Sequence, residues 1–301
     1  MDKQPPMDGW EEGLGPYEPV LRGDRLYGRG TSDDGYSIYA GMLIIKSLQK
    51  QNLDHERIVF IMESEEESGS PHLMPYIHKL APRIGKVDLV LVIDTGGGNY
   101  EQLWTDASLR GVVNIMLDVS LLKSSMHSGE GSGVVPSSFR VQRMLLDRVE
   151  DSRTGRILLP ELYLPLTPKM YSNAAKTVAA LGEEEYKSAY SKHEEVEFSS
   201  PNTIELYLNN CYRPTLSITG ASGLPDIPQA GNVLRTHTEL KLAFRIPPGL
   251  DPEECERVII KELTRDPPYN ARVTVRRDHI GTGFLTPDFH PWLEAAVQDA
   301  S

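Results

Sequence analysis

Little in this chain of 301 residues suits a disulfide framework, a membrane span or a nucleic-acid surface. It has only two cysteines, Cys211 and Cys255. They lie far apart and in no metal-binding spacing, so they read as free thiols rather than a bridge or a zinc site. No apolar run approaches the ~20 residues that a bilayer span requires. The opening Met1-Asp2-Lys3-Gln4-Pro5-Pro6 lacks the apolar core of a secretion signal, and the expected location is the cytoplasm. Basic charge is in deficit, with 31 Lys and Arg against 43 Asp and Glu and a formal net charge of −12. That balance argues against a surface built to neutralise phosphates. Neither nucleic acid nor membrane is therefore an expected partner.

What is present is ordinary globular composition, 39% hydrophobic and 25% charged, in a chain long enough for two domains. The first third reads as α/β. Tyr36 to Lys50 has apolar residues at helical spacing behind a candidate cap, Ser32-Asp33-Asp34. Arg57–Met62 (RIVFIM) and Val87–Ile93 (VDLVLVI) are short apolar runs that predict parallel strands covered on both faces. A helix from Pro71 to Leu80 connects them, stopped by Pro82 and Gly85. From about Arg110 the texture changes to an α+β pattern. Strands are predicted at Gly111–Ser120, Thr215–Thr219, Thr238–Arg245 and Ala271–Arg276. Helices are predicted at Ser137–Glu150 and from Asp251-Pro252 to Arg265. Asp151 to Asn202 is polar and weakly periodic and reads as an insertion of loops and helices. A last helix begins near His290 and runs to the end of the chain without a cap.

Both predicted parallel strands run into carboxylates. The first leads into Glu63-Ser64-Glu65-Glu66-Glu67-Ser68-Gly69-Ser70, the second into Asp94-Thr95-Gly96-Gly97-Gly98. Ligands of open α/β sheets bind beyond the carboxyl ends of the strands, so the two clusters should share one rim. Asp33-Asp34 could face the same rim. Taken singly, these features read as a solvated loop, a helix cap and a turn; ordered along two strands and a helix start, they do not. Crowded carboxylates repel unless they share a cation, and carboxylate with imidazole suits zinc, manganese or cobalt. In extended backbone Glu66 and Glu67 would point in opposite directions, one towards metal and the other towards an attacking water.

These residues resemble the M20 family of metallopeptidases and deacylases, the group of aminoacylases, carnosinase-like dipeptidases, carboxypeptidases and desuccinylases. Asp2 resembles the aspartate of a His-x-Asp motif, Tyr27-Gly28-Arg29-Gly30-Thr31-Ser32-Asp33-Asp34 the second motif, and Glu65-Glu66-Glu67-Ser68-Gly69-Ser70 the third. The resemblance implies metal ligands at Asp33, Glu67 and Asp94, and two divalent ions, with zinc favoured over manganese or cobalt. It makes Glu66 the general base and Asp2 the residue that orients a histidine ligand. Met126-His127-Ser128-Gly129 resembles the lid motif whose histidine stabilises the oxyanion, often in a partner subunit's site. Asn232-Val233 and Phe244-Arg245-Ile246-Pro247-Pro248 resemble the segments that hold the substrate carboxylate, a task suited to the planar guanidinium of Arg245. His72 reads as structural or supporting. Many members carry Lys after the paired aspartates, where this chain has Gly35.

The expected architecture is α/β, a three-layer α/β/α catalytic domain, incomplete, with an inserted α+β lid/dimerisation domain. Residues 1–107 and 280–301 belong to the first and residues 108–279 to the second. Compared with the family pattern, the chain looks truncated at both ends, without the histidine ligands expected upstream of Asp2 and downstream of the last helix. The expected reaction is metal-dependent hydrolysis of amide bonds in dipeptides or N-acyl amino acids by a homodimer joined through the lid. The alternative is a catalytically inactive fragment or an interaction module that dimerises through the lid.

Overall fold

In the computed structural model, residues 8–33, 35–94, 96–99, 101–106 and 108–300 are described. The chain divides into two compact units, one ending at Gly98 and the other beginning at Asn99.

The first unit opens with an antiparallel hairpin, β1 (Val20–Arg22) and β2 (Arg25–Tyr27), which turns at Gly23 with φ +65°, a conformation glycine adopts at no steric cost. The predicted helix over Tyr36–Lys50 forms as α1 (Gly35–Gln51). The second forms as α2 (Leu73–Ile84), passing through Pro82 and ending at Gly85, whose N–H donates to Ala81 O. Pro82 thus lies within the helix and does not stop it, at the loss of the bond its missing N–H would have given to His78 O. The apolar runs at 57–62 and 87–93 join no strand ladder among the described residues, and Val90, Leu91 and Val92 are 71–78% exposed. Their composition signalled burial, but a strand also needs neighbours to take its N–H and C=O groups. Side chains place the first run instead. The Phe60 ring packs against Gly41 of α1, where a Cβ would come within 2.8 Å of it. Arg57 donates to the carbonyls of Ile84, at 2.7 Å, and Arg83, at the helix end that favours a cation.

In the second unit, strict apolar alternation builds β3 (Gly111–Ser120), with every second residue buried. Helix α3 (Ser138–Leu146) follows, capped by Ser137 Oγ accepting from Arg140 N–H. The polar stretch after Asp151 contains α4 (Pro168–Leu181), which packs with α5 (Thr203–Tyr212) around Ala174, Leu208 and Tyr212. Next come β4 (Thr215–Ser222), β5 (His237–Ile246), α6 (Pro252–Thr264) and β6 (Arg272–Gly281). Asp251 caps α6 by accepting from Glu253 N–H, with Pro252 at the first helical position. The last helix is α7 (Pro291–Ala300).

The four strands form one antiparallel sheet in the order β6-β3-β5-β4. Val113, Ile115, Leu117 and Val119 of β3 and Leu240, Leu242, Phe244 and Ile246 of β5 face a core shared with Val141 and Leu145 of α3 and Ile259 and Leu263 of α6. The whole is a mixed α/β architecture, consistent with a catalytic part and an accessory part. No helix among the described residues is long and apolar enough to cross a membrane.

Both cysteines are free; Cys255 is buried in the sheet–helix core and Cys211 is half-buried on α5. Burial, then the nearby Asp251 and Glu254, pushes the Cys255 thiol up to about 11. Burial also raises Cys211. At pH 8 both should stay protonated and react with a thiol-specific disulfide reagent far more slowly than a free cysteine, and both should be released by urea. Fast native-state labelling of Cys255 would contradict this packing.

Candidate metal-dependent active site

The glutamate run does not continue as extended backbone. Glu66–Ser68 form a 3-10 turn closed by Gly69, which has φ +91° and whose N–H donates to Glu66 O at 2.8 Å. Ser70 N–H donates to Glu65 O at 2.9 Å. Glycine stops the chain here because it accepts the left-handed conformation. The expected opposed directions of Glu66 and Glu67 are thus corrected to side chains about 120° apart around a three-residue turn. His72 Nδ1 lies 2.7 Å from Glu65 Oε2. The imidazole therefore supports the one glutamate of the motif that was given no chemical role.

The carboxyl of Glu66 is held above the ordinary glutamate range, first by burial and then by the carboxylates of Asp94, Glu67, Glu63 and Asp33. Although Glu66 is exposed as a residue, like charges from three separate segments act on it. Those segments are the turn before α1, the end of the 57–67 stretch and the end of the 87–94 stretch. Among the described residues, no three His, Cys, Asp or Glu side chains close on one point as a metal cage. Asp2, Asp34 and Thr95 lie outside the described residues. The donor chemistry, carboxylates crowded without a histidine among the groups acting on Glu66, fits hard or borderline divalent cations. Glu63 was not singled out from sequence, yet its Oε1 is buried with no hydrogen-bond partner among the described residues. It stood in the same acidic run, but nothing distinguished it from a strand-end charge.

The loop carrying Asp33 is tightly closed. Thr31 Oγ1 donates to Gly28 O at 2.9 Å, and Gly35 N–H donates to Gly30 O at 2.9 Å. A Cβ on Gly35 would lie 2.2 Å from that oxygen. Position 35 therefore accepts only glycine in this backbone. Gly35→Ala should lower stability by about 1–3 kcal/mol, read as a fall in urea midpoint. An unchanged midpoint would show that the loop is not closed in this way.

Two other site residues from the sequence reading meet in the second unit. His127 pairs with Val233 in a two-residue antiparallel ladder, and Ser128 N–H donates to Asn232 O at 2.8 Å. His127 also caps the short helix that follows it, with Nδ1 accepting from Gly129 N–H at 3.1 Å. With Nδ1 taken as an acceptor, Nε2 is the ring nitrogen left to donate from this exposed side chain.

Arg245 is not with them. His127 and Asn232 lie beyond the end of the sheet where His237 pairs with Ser120, whereas Arg245 pairs with Val112 and Thr215 at the other end. The eight steps from His237 to Arg245 span about 25 Å of strand, so one chain cannot bring both groups to one small substrate.

Known proteins sharpen this picture. The model of peptidase family M20/M25/M40 matches residues 1–300. Among curated relatives, the chain is 27% identical to the Beta-Ala-His dipeptidase of Homo sapiens over 291 residues, covering 95% of this chain and 55% of that protein. Among solved structures, it resembles human carnosine dipeptidase 1 with a TM-score of 0.75 and 25% identity, covering 93% of this chain and 59% of the other. It shares the fold of the dipeptidase Dug1p of Saccharomyces cerevisiae, with a TM-score of 0.73 at 22% identity, covering 96% and 61%. The chain thus spans a little over half the length of the curated relatives it matches first. From its first residues to its last helix, it belongs to the M20 metallopeptidase and amidohydrolase family.

Proposed function

We propose that the protein hydrolyses amide bonds of dipeptides or N-acyl amino acids with the help of divalent metal. The observation that carries this reading is that the carboxylates of Asp94, Glu67, Glu63 and Asp33 all act electrostatically on Glu66 and, with burial, raise its carboxyl pKa. Because the chain spans 55% of the human dipeptidase, the activity and substrates of the whole protein are part of the proposal. Asp33, Glu67 and Asp94 are assigned to hold two metal ions, zinc foremost and manganese or cobalt as substitutes, in a three-layer α/β/α catalytic domain. Asp2 is assigned to orient a further ligand. Such ions, when bound, polarise the amide carbonyl and lower the pKa of water.

The protein's own groups do the rest. Glu66 takes a proton from the attacking water and returns it to the leaving amine, a task for which a raised carboxyl pKa is suited. The Nε2–H of His127 donates to the oxyanion. Arg245 holds the substrate carboxylate in a forked pair of hydrogen bonds, with Asn232 beside His127 lining the site. Since His127 and Arg245 stand at opposite ends of one sheet, we assign them to one substrate across a homodimer joined through the lid, residues 108–279, with His127 supplied by the partner of the subunit whose Glu66 and Arg245 act.

Subunit mixing tests this. Glu66→Gln and His127→Ala, each inactive alone, should recover about a quarter of wild-type activity when mixed and re-equilibrated. Half the dimers are then mixed, and each has one intact site of two. No recovery from a demonstrably mixed dimer would rule out the shared site. A second reading is favoured by the lack of a three-donor group among the described residues: a non-catalytic module that dimerises through the lid. It is supported if the chain dimerises but neither binds zinc nor hydrolyses any amide.

A further inference from the structure

The corner of the sheet around Arg245 holds a second cation that the sequence reading passed over. Arg110 immediately precedes β3, and its guanidinium donates to Thr215 Oγ1 at 3.0 Å, Asn209 O at 3.3 Å, Arg213 O at 3.2 Å and Asn210 Oδ1 at 3.2 Å. Every one of these acceptors is neutral. Thr215 is the register partner of Arg245 across β4 and β5, and Val112, two residues after Arg110, is its partner across β3 and β5. Residues in register share a face, as do residues two apart. Arg110, Thr215 and Arg245 therefore stand side by side on the face away from the core. Arg213 is answered by Glu205 at 2.7 Å, while no carboxylate bonds to Arg110 or Arg245 among the hydrogen bonds and ion pairs of the described residues. Burial and the charge of Arg245 both press on Arg110, lowering its pKa. A half-buried cation beside an exposed one, with no carboxylate bonded to either among the described residues, leaves net positive charge for a ligand to neutralise.

We propose that Arg110 is a positioning residue which sets the affinity and carboxylate selectivity of Arg245. Its Nη1 group is committed to Asn209 O, Arg213 O and Thr215 Oγ1 and its Nη2 to Asn210 Oδ1, so we assign it to the support of Arg245 and not to the anion itself. It holds Thr215 beside Arg245 and adds a fixed positive charge that a carboxylate feels and a neutral amide does not. The inference deepens the reading of Arg245 as the substrate-carboxylate group and rests on it.

The test is a binding titration of the 15N-labelled full chain, following arginine Nε–Hε resonances. The probes are N-acetylglycine and its neutral counterpart, N-acetylglycinamide. In the wild type, N-acetylglycine should shift the Arg245 resonance saturably and the amide should not. Arg110→Gln should weaken N-acetylglycine binding on the order of 5-fold, and Arg110→Lys, which keeps the charge, should return to within about 2-fold of wild type. If Arg110→Gln does not fold, Thr215→Val provides the test, since it removes the bridging hydroxyl at nearly constant volume and should weaken binding about 2-fold. Unchanged affinity in Arg110→Gln, or in Thr215→Val in its place, would mean that Arg110 only braces the helix and would overturn the proposal. So would equal binding of acid and amide by the wild type. Because the readout is binding, turnover that survives in Glu66→Gln would remove the catalytic reading while leaving this one standing.

Discussion

Glu66→Gln should lower kcat for a dipeptide or N-acyl amino acid by about 10²–10⁴-fold, assayed with zinc or manganese in the gene product that carries these residues. KM should change little. Glutamine preserves the volume and hydrogen-bonding reach of the side chain but cannot accept and return a proton. Glu66 is distinguished from Glu65 and Glu67 by its surroundings. Four carboxylates act on it, while Glu65 is occupied with His72. The parallel change Glu65→Gln should therefore leave most of the turnover intact. Wild-type rates in Glu66→Gln would end the assignment of the general base, whatever the metal content.

Phe244→Ala should destabilise the second unit by about 3–5 kcal/mol. Phe244 is fully buried at the centre of β5, between β3 and β4, in the core that α3 and α6 cover. Truncating it removes aromatic area and leaves a void among side chains held by strands on both sides, which cannot collapse to fill it. Urea denaturation followed through the sheet's circular dichroism would show the loss as a lower midpoint at a similar slope. A change below about 1 kcal/mol would mean that the core is looser than this packing implies. The position matters for the proposed site as well, because Phe244 is the neighbour of Arg245, and a disturbed β5 would move both ends of the sheet.

The parts of the fold that were legible in sequence carry their instructions locally. The alternation in Gly111–Ser120 produces a strand with those bounds, because a half-buried strand needs only period two. Asp251-Pro252 starts α6 where it stands, since cap and fixed φ act within one turn. The runs at 57–62 and 87–93 went the other way. Composition can signal that a segment avoids water, but not which neighbour will pair with it, and here no neighbour among the described residues does.

The site divides similarly. The order of acidic motifs was readable, but the turn at Glu66–Ser68 depends on one glycine in a left-handed conformation. The pairing of His127 with Val233 is a contact between segments more than a hundred residues apart, which no local pattern announces. Arg110 was given no role in the sequence reading. Only the return of α5 and β4 to its side reveals four acceptors around it.

The claim beneath all of this is that separate stretches of the first unit deliver their acidic groups to a single spot. Carbon-detected NMR of the side-chain carboxyls in the metal-free chain measures that directly. Glu66 should titrate above the usual glutamate value of about 4.3 and fall towards it when Asp94→Asn removes the largest charge acting on it. An ordinary titration in the wild type, indifferent to Asp94, would mean that those groups do not meet.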